Sequence, residues 1–399
     1  MGVVEEYLAP AWPCWIEVDL DAIRHNVEAI RDLLPEGCEI AAVVKAQGYG
    51  HGAIPVARVA LDAGASWLAV ARVREGLQLR EAGLDAPILL LGPFGDDEIP
   101  SIVDHRLRPT VVHPRQAEKL SSAAEAAGRL LPVHLKVDTG ISRYGVSLEE
   151  LRALLPHLLR LPGLRIEALY SHFATADDPD LAFARTQLET FQRAREALET
   201  DGFRFPLVHM AASGGTLAVG DARLGMVRLG LSLYGLYPAT HLSSRVALKP
   251  ALSFHSRVVR AFSLRAGQSV GYGRTFVASG PITAALVPVG YADGLPRSHS
   301  NRGFVLIRGR RARIIGRVSM DQCVADVTAS GAGEGEPAVL IGAQGGDCIS
   351  CEEFAATSGT VNYEVITSLG YRVPRVYRRG GRVVGVAHLD EGKLEGEIS

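Results

Sequence analysis

The sequence predicts an α/β protein, with an N-terminal (β/α)8 TIM-like barrel followed by a C-terminal, mostly antiparallel β domain. Three observations point there. Over the first 235 residues, short apolar runs alternate about eight times with helical patterns, the alternation that parallel strands and crossover helices require. After Pro238 the pattern changes to strands in close succession with little helix between them. The chain has 399 residues, 47% hydrophobic and 22% charged, which suits two or three domains with a large buried core. A doubly wound open sheet is the rival for the first half. The division is a barrel over residues 1–247, whose first residues can join the other part, and a β domain over 248–399.

The barrel strands are expected at 39–45, 67–71, 87–92, 110–113, 133–138, 164–172, 207–211 and 227–234. Amphipathic stretches lie between most of them. In one, Leu181, Ala184, Leu188, Phe191 and Leu198 share a helical face. Asp178-Pro179 before it reads as an N-cap followed by proline at the first helical position. Residues 236–250 are polar and irregular and form the junction. Beyond it Leu252, Phe254, Ser256 and Val258 alternate with polar neighbours. Further strands are expected at 282–289, 304–308, 313–318, 322–327 and 339–342, with short helices at 352–357 and 363–369. From His388 on, the chain is polar and charged, and a frayed tail is expected.

Composition excludes several function classes. A net charge of -2 and 6% aromatic residues give no basic stripe or stacking platform for nucleic acid. Apolar runs are broken by Pro or Gly well short of the roughly 20 residues that span a bilayer. The start, MGVVEEYLAP, has no basic region and carries Glu5 and Glu6, unlike an export leader. A cytoplasmic protein without membrane or nucleic-acid partners is expected. Five cysteines are few and odd in number, so no disulfide framework is implied. Cys348 and Cys351 form a single CxxC with no second ligand pair nearby, and no metal site is expected.

The chemistry begins at Ala42-Val43-Val44-Lys45-Ala46-Gln47-Gly48-Tyr49-Gly50-His51-Gly52. An apolar strand runs into a lysine and then a glycine-rich turn that opens a helix. Strand ends of this kind face the active site of a β/α barrel. Low-dielectric surroundings depress a lysine's pKa and expose a neutral amine, able to form a Schiff base with pyridoxal 5′-phosphate (PLP). A lysine snorkelling from a strand end is the plainer reading of that position alone.

The segment VVKAQGYGHG resembles the cofactor-lysine signature of alanine racemases. KVDTGISRYG, LYSHFATAD, HMAASGG, MVRLGLSLYG, VGYGRTF, PVGYADG, GRVSMDQ and GTVNYEV resemble further blocks of that family, in the family's order. The resemblance implies PLP attached covalently to Lys45 and the interconversion of L- and D-alanine by two bases, supplying D-alanine for peptidoglycan. Lys45 would serve the D-isomer and Tyr272 the L-isomer. A phenol with an ordinary pKa of about 10 is almost wholly protonated at pH 7, and lowering it three units takes about 4 kcal/mol. His172 matches the histidine that bonds this tyrosine and contacts Arg228.

Arg228 would hydrogen-bond the pyridine nitrogen. Gly230, Leu231, Tyr49, Ser213 and Tyr363 would hold the phosphate. Arg143 would meet the cofactor's phenolic oxygen and the substrate carboxylate, helped by the backbone N–H of Met320. Lys136 matches a lysine that is carbamylated in some members and orients that arginine. Tyr291, Asp293, Arg297 and Arg317 match the polar access corridor. Tyr272 and Met320 of one chain would complete the pocket around Lys45 of a second, which implies a homodimer with composite sites.

The sequence departs from the family at Ala212, where Asn is common, and at Gln47-Gly48, where Asn-Ala is common. These keep a broader racemase of serine or basic amino acids as the alternative. A barrel-type PLP decarboxylase would place a carboxylate at the pyridine nitrogen and lack the tyrosine base, so Arg228 and Tyr272 speak against it. A PLP-homeostasis protein would lack the β domain.

Overall fold

The computed structural model describes residues 12–390 and 392–396. It forms two compact units, one of residues 22–48 and 53–249, the other of residues 12–21, 49–52 and those from Pro250 on. The N-terminal stretch read as lacking an export leader falls within residues 1–11, outside the described residues. Among the described residues no helix is long and apolar enough to cross a membrane.

The first unit holds a closed barrel of eight parallel strands: Glu39–Val43, Trp67–Val70, Ile88–Leu90, Arg108–Val111, Leu131–Lys136, Leu164–Tyr170, Leu207–Ala212 and Met226–Leu229. Pairing of Glu39 with Met226 and Ala42 with Leu229 closes the ring. A parallel strand in such a barrel is covered on both faces, so it is largely apolar. Trp67–Val70 and Ile88–Leu90 are buried at every position. The expected (β/α)8 barrel and β domain are both present.

Three local readings are corrected. The eighth run ends at Leu229: Gly230 takes φ -94°, ψ -103°, and Leu231–Tyr234 winds as a 3-10 turn. His113 is no strand residue; it caps the helix Pro114–Ala126, its Nδ1 accepting from the Arg115 N–H at 3.2 Å. The long helix is Ala182–Thr200, beginning after Asp178-Pro179. Asp178 instead accepts from the Asp180 N–H, and Asp180 from that of Ala182. Ala184, Leu188, Phe191 and Leu198 do form its buried face.

The second unit is built on a twelve-stranded sheet. All the sheet's pairings are antiparallel except that of Cys14–Asp19 with Arg375–Arg379. The hairpin Phe304–Ile307 and Arg310–Ile314 starts its return strand three residues earlier than expected. Arg308 and Gly309 both take positive φ and make that turn. The frayed tail is also corrected: Lys393–Gly396 pairs with Arg382–His388, while residues 391 and 397–399 lie outside the description. Leu264, Val270, Ala278, Ala284 and Ile315 form one core cluster.

Candidate active site

Parallel strands place all their C-terminal ends at one rim of the barrel, where loops present side chains. Lys45, Lys136, His172, Ser213 and Gly230 all stand at or just past such ends. Tyr234 steadies the first of them, its hydroxyl donating to Val43 O at 2.9 Å. Burial lowers the Lys45 pKa, the Arg143 charge lowers it further, and Glu75 opposes both. Burial, with the charges of Arg228 and Arg143, brings the Lys136 amine down to about 8.

Arg228 lies inside the barrel, 2% exposed. Its Nη2 donates to Ser171 O (2.9 Å), Met210 O (2.8 Å) and His172 Nδ1 (3.1 Å), and its Nη1 to His209 Nδ1 (2.6 Å). A guanidinium only donates, which fixes the tautomers. Burial, then the surrounding charges of Arg228, Lys136, Arg143 and Lys45, hold His172 well below its ordinary pKa. Neutral and accepting at Nδ1, it carries its proton on Nε2. His209, fully buried and neutral, must likewise be Nε2–H, and gives that proton to His134 Nδ1 at 3.2 Å. His134 in turn donates from Nε2 to Glu167 Oε2 at 3.3 Å. Tyr170 stacks on His209 at 4.6 Å and lies under Arg228 at 5.2 Å. A buried cation is tolerable only when so fully bonded.

Ser213 Oγ accepts from the N–H groups of Gly230 and Ser232, each at 3.1 Å. Both its lone pairs are used, so its O–H must be given elsewhere. Ser232 Oγ is buried without a hydrogen-bond partner among the described residues. Hydroxyls with protons to give, beside a cation that keeps its charge, suit the phosphate and ring nitrogen of PLP. The residues present fit the cofactor.

Arg143 ends a loop organised by one carboxylate. Asp138 Oδ1 accepts from the N–H groups of Gly140 (2.7 Å), Ile141 (3.1 Å) and Ser142 (3.1 Å), and Oδ2 from that of Arg143 (3.3 Å). Burial pushes the Asp138 pKa up, but these four donors outweigh it and hold the group below the ordinary carboxylate range.

In the second unit, Tyr272 sits on a turn between the paired strands Ser269–Val270 and Phe276–Val277. Gly271, Gly273 and Arg274 all take positive φ there. A Cβ on Gly273 would lie 3.3 Å from the Arg317 guanidinium carbon, so Arg317 packs directly on this turn. Asn301 ties the same loops, accepting from Gly316 N–H and donating to Thr275 Oγ1. Arg297 opens the 3-10 turn Arg297–His299 beside it. Tyr291 and Ala292 donate backbone N–H groups to Ser319 O and Met320 O. Asp293 is buried, accepting from Gly290 N–H and Arg372 Nε, while Arg372 also reaches Asp321. Tyr272, Met320 and Tyr291 are 71%, 53% and 45% exposed. Tyr49 is buried, which pushes its pKa up to about 12, and Tyr363 lies in the helix Asn362–Ser368.

Sequence reasoning missed His134, His209 and Asp138. Each left a faint signal: a lone histidine in an otherwise apolar strand, and an Asp-Thr-Gly turn just past a strand end. Glu75, half-buried on the helix Val73–Glu81, left none.

Residues 18–238 match the family model "Alanine racemase, N-terminal domain", and residues 251–377 match "Alanine racemase, C-terminal domain". The alanine racemase of Desulforamulus reducens is 43% identical over 92% of this chain and 99% of its own length. That of Nostoc sp. is 42% identical over 91% and 95%. The crystal structure of alanine racemase from Bacillus anthracis with bound L-Ala-P has TM-score 0.92 and 37% identity, covering 96% of this chain and 100% of that one. The structure from Bartonella henselae with covalently bound pyridoxal phosphate has TM-score 0.82 and 29% identity, covering 92% and 100%.

Proposed function

Because the chain belongs to the alanine racemase family, a PLP-dependent enzyme interconverting L- and D-alanine, we propose that Lys45 and Tyr272 are its two bases. When bound, PLP withdraws electron density from the α-carbon of an amino acid joined to it and so acidifies the α-C–H. From L-alanine, the Tyr272 oxygen takes the α-proton and Lys45 Nζ returns one to the opposite face. From D-alanine the roles reverse. Burial favours a neutral Lys45 amine able to accept. The His172 Nε2–H, located there by Arg228, is the donor that holds the tyrosine oxygen as its proton leaves.

Arg228 would hydrogen-bond the pyridine nitrogen of the cofactor. Burial lowers its pKa only to about 10, so it stays protonated and offers a hydrogen bond rather than a proton. Lys45 holds the cofactor covalently, and Tyr49, Ser213, Gly230, Leu231 and Tyr363 hold its phosphate. Arg143 and the Met320 N–H take the substrate carboxylate, and the Met320 side chain limits the pocket to a methyl group. Lys136, carbamylated, orients Arg143. Tyr291, Arg297 and Arg317 line the polar approach, and Asp293, buried against Gly290 N–H and Arg372, braces its loop instead of lining it.

The working unit is a homodimer, Tyr272 and Met320 of one copy serving Lys45 of the other. The exposure of Tyr272, Met320 and Tyr291 on one unit supports that arrangement. The enzyme works in the cytoplasm, providing D-alanine for peptidoglycan. The observation that carries the site assignment is Arg228, buried and bonded to His172. Mixed dimers of Lys45→Ala and Tyr272→Phe chains, each inactive alone, test it. Exchange of subunits should regenerate one intact site and part of the activity, and no recovery after verified exchange refutes the shared site.

A further inference from the structure

The turn that begins at Lys45 is left-handed. Ala46, Gln47 and Gly48 take φ/ψ of 51/51, 53/47 and 60/46. Residues with a Cβ seldom adopt this region, and in series only where surrounding groups enforce it. The enforcing groups are visible. Gly48 N–H returns to Val44 O at 2.8 Å, and Val44 N–H bonds Ala69 O on the neighbouring strand at 2.9 Å. Glu75 Oε1 accepts from the Ala46 N–H at 2.6 Å. Its other oxygen accepts from the N–H groups of Ala71 and Arg72 at 2.8 and 2.9 Å. One carboxylate thus ties the turn after the first barrel strand to the chain just past the second. Three residues along the same helix, Gln78 Oε1 accepts from Gln47 Nε2 at 3.1 Å.

We propose that Glu75 is a positioning residue for Lys45: its carboxylate holds the left-handed turn and so aims the amine, and Gln78 braces the same turn through Gln47. The Ala46 nitrogen belongs to the peptide that follows Lys45, so fixing its N–H fixes the plane from which the lysine side chain leaves. Gln47 has a side chain long enough for its Nε2 to meet Gln78 Oε1. Glu75 also raises the Lys45 pKa through its charge. The inference rests on Lys45 being the cofactor lysine.

The test uses the full-length apo-protein in wild-type, Glu75→Gln and Gln78→Ala forms. A glutamine at position 75 is the same size but cannot accept at both ends, so it turns an NH2 against one of the three donors. Hydrogen exchange followed by mass spectrometry should show the amides of residues 44–50 exchanging about tenfold faster in Glu75→Gln, as expected for one lost charge-assisted bond, and about threefold faster in Gln78→Ala. The helix Ala182–Thr200 should be unchanged in both. Capture of added PLP, read from the absorbance of the lysine-bound cofactor and fixed by borohydride, should be slower in Glu75→Gln. Its pH profile should also move to lower pH as the negative charge is lost. Unchanged exchange at 44–50 with an unchanged capture profile overturns the proposal. If Glu75→Gln does not fold, unchanged exchange in Gln78→Ala overturns it. Wild-type protein that captures no PLP at Lys45 refutes the underlying reading instead, while the exchange comparison still judges the clamp.

Discussion

His134 is the middle link of the buried chain from Glu167 to Arg228, and replacing it with Phe isolates what that link contributes. Phenylalanine keeps a ring against Trp67, which meets His134 at 5.4 Å and 60°, and deletes both nitrogens. The His209 Nε2–H then has no acceptor in a fully buried place, at about 1–3 kcal/mol. The bond to the Glu167 carboxylate is lost too, about 1.5–3 kcal/mol for a charged acceptor. Phe is cheaper to bury than an imidazole, which returns part of this. The net loss should be about 2–4 kcal/mol, or about 5–15 °C in Tm for a unit of this size. Thermal and urea unfolding of the purified variant would measure it. A loss under about 0.5 kcal/mol, ordinary for a surface change, would refute the chain of fixed tautomers.

Other predictions concern pH, substrate binding and Lys136. Burial keeps His134, His172 and His209 neutral in the native protein and pushes His299 down to about 4. Below about 6.5 the unfolded chain binds more protons, so stability should fall with pH by about 1.4 kcal/mol per unit for each such histidine. Urea midpoints between pH 7.5 and 4.5 would show this, and a flat profile contradicts it. Asp138→Ala removes the acceptor of four backbone N–H groups and should raise KM for alanine about tenfold. Asp138→Asn, keeping Oδ1, should do less, and equal KM in all three forms would detach the loop from binding. The Lys136 amine, at about 8, stands among cations that would favour its conversion to an anion. CO2 adds at Nζ with loss of a proton, so 13C-bicarbonate should label a carbamate carbon that is missing in Lys136→Gln.

The barrel was legible because its parallel strands are largely apolar runs, as in Ile88–Leu90, which is buried at every position. The helix Ala182–Thr200 was legible from its stripe, yet not its start, because two short Asp turns precede it. Strands that owe their existence to distant partners were not legible. Cys14–Asp19 pairs with residues more than two hundred positions away. Arg375–Arg379 reads as a charged surface segment, yet Arg375 is fully buried and donates to the carbonyls of Gly50, Leu369, Gly370 and Val373. Lys45, Lys136, His172 and Ser213, singled out from motifs in the sequence, stand at or just past barrel strand ends. The histidine chain beneath Arg228 and the Glu75 clamp could not be named from the sequence, because they depend on which side chains the barrel closure brings within hydrogen-bond reach.

The most direct test of two-base racemisation is to give purified protein with PLP L-alanine in heavy water, then separate the enantiomers and weigh them. L-serine and L-lysine run in parallel report specificity. D-alanine carrying deuterium at the α-carbon is the expected product. Deuterium entering L-alanine without D-alanine forming would leave one working base and remove Tyr272 from its role, and no exchange at all by PLP-loaded protein would contradict the reaction itself.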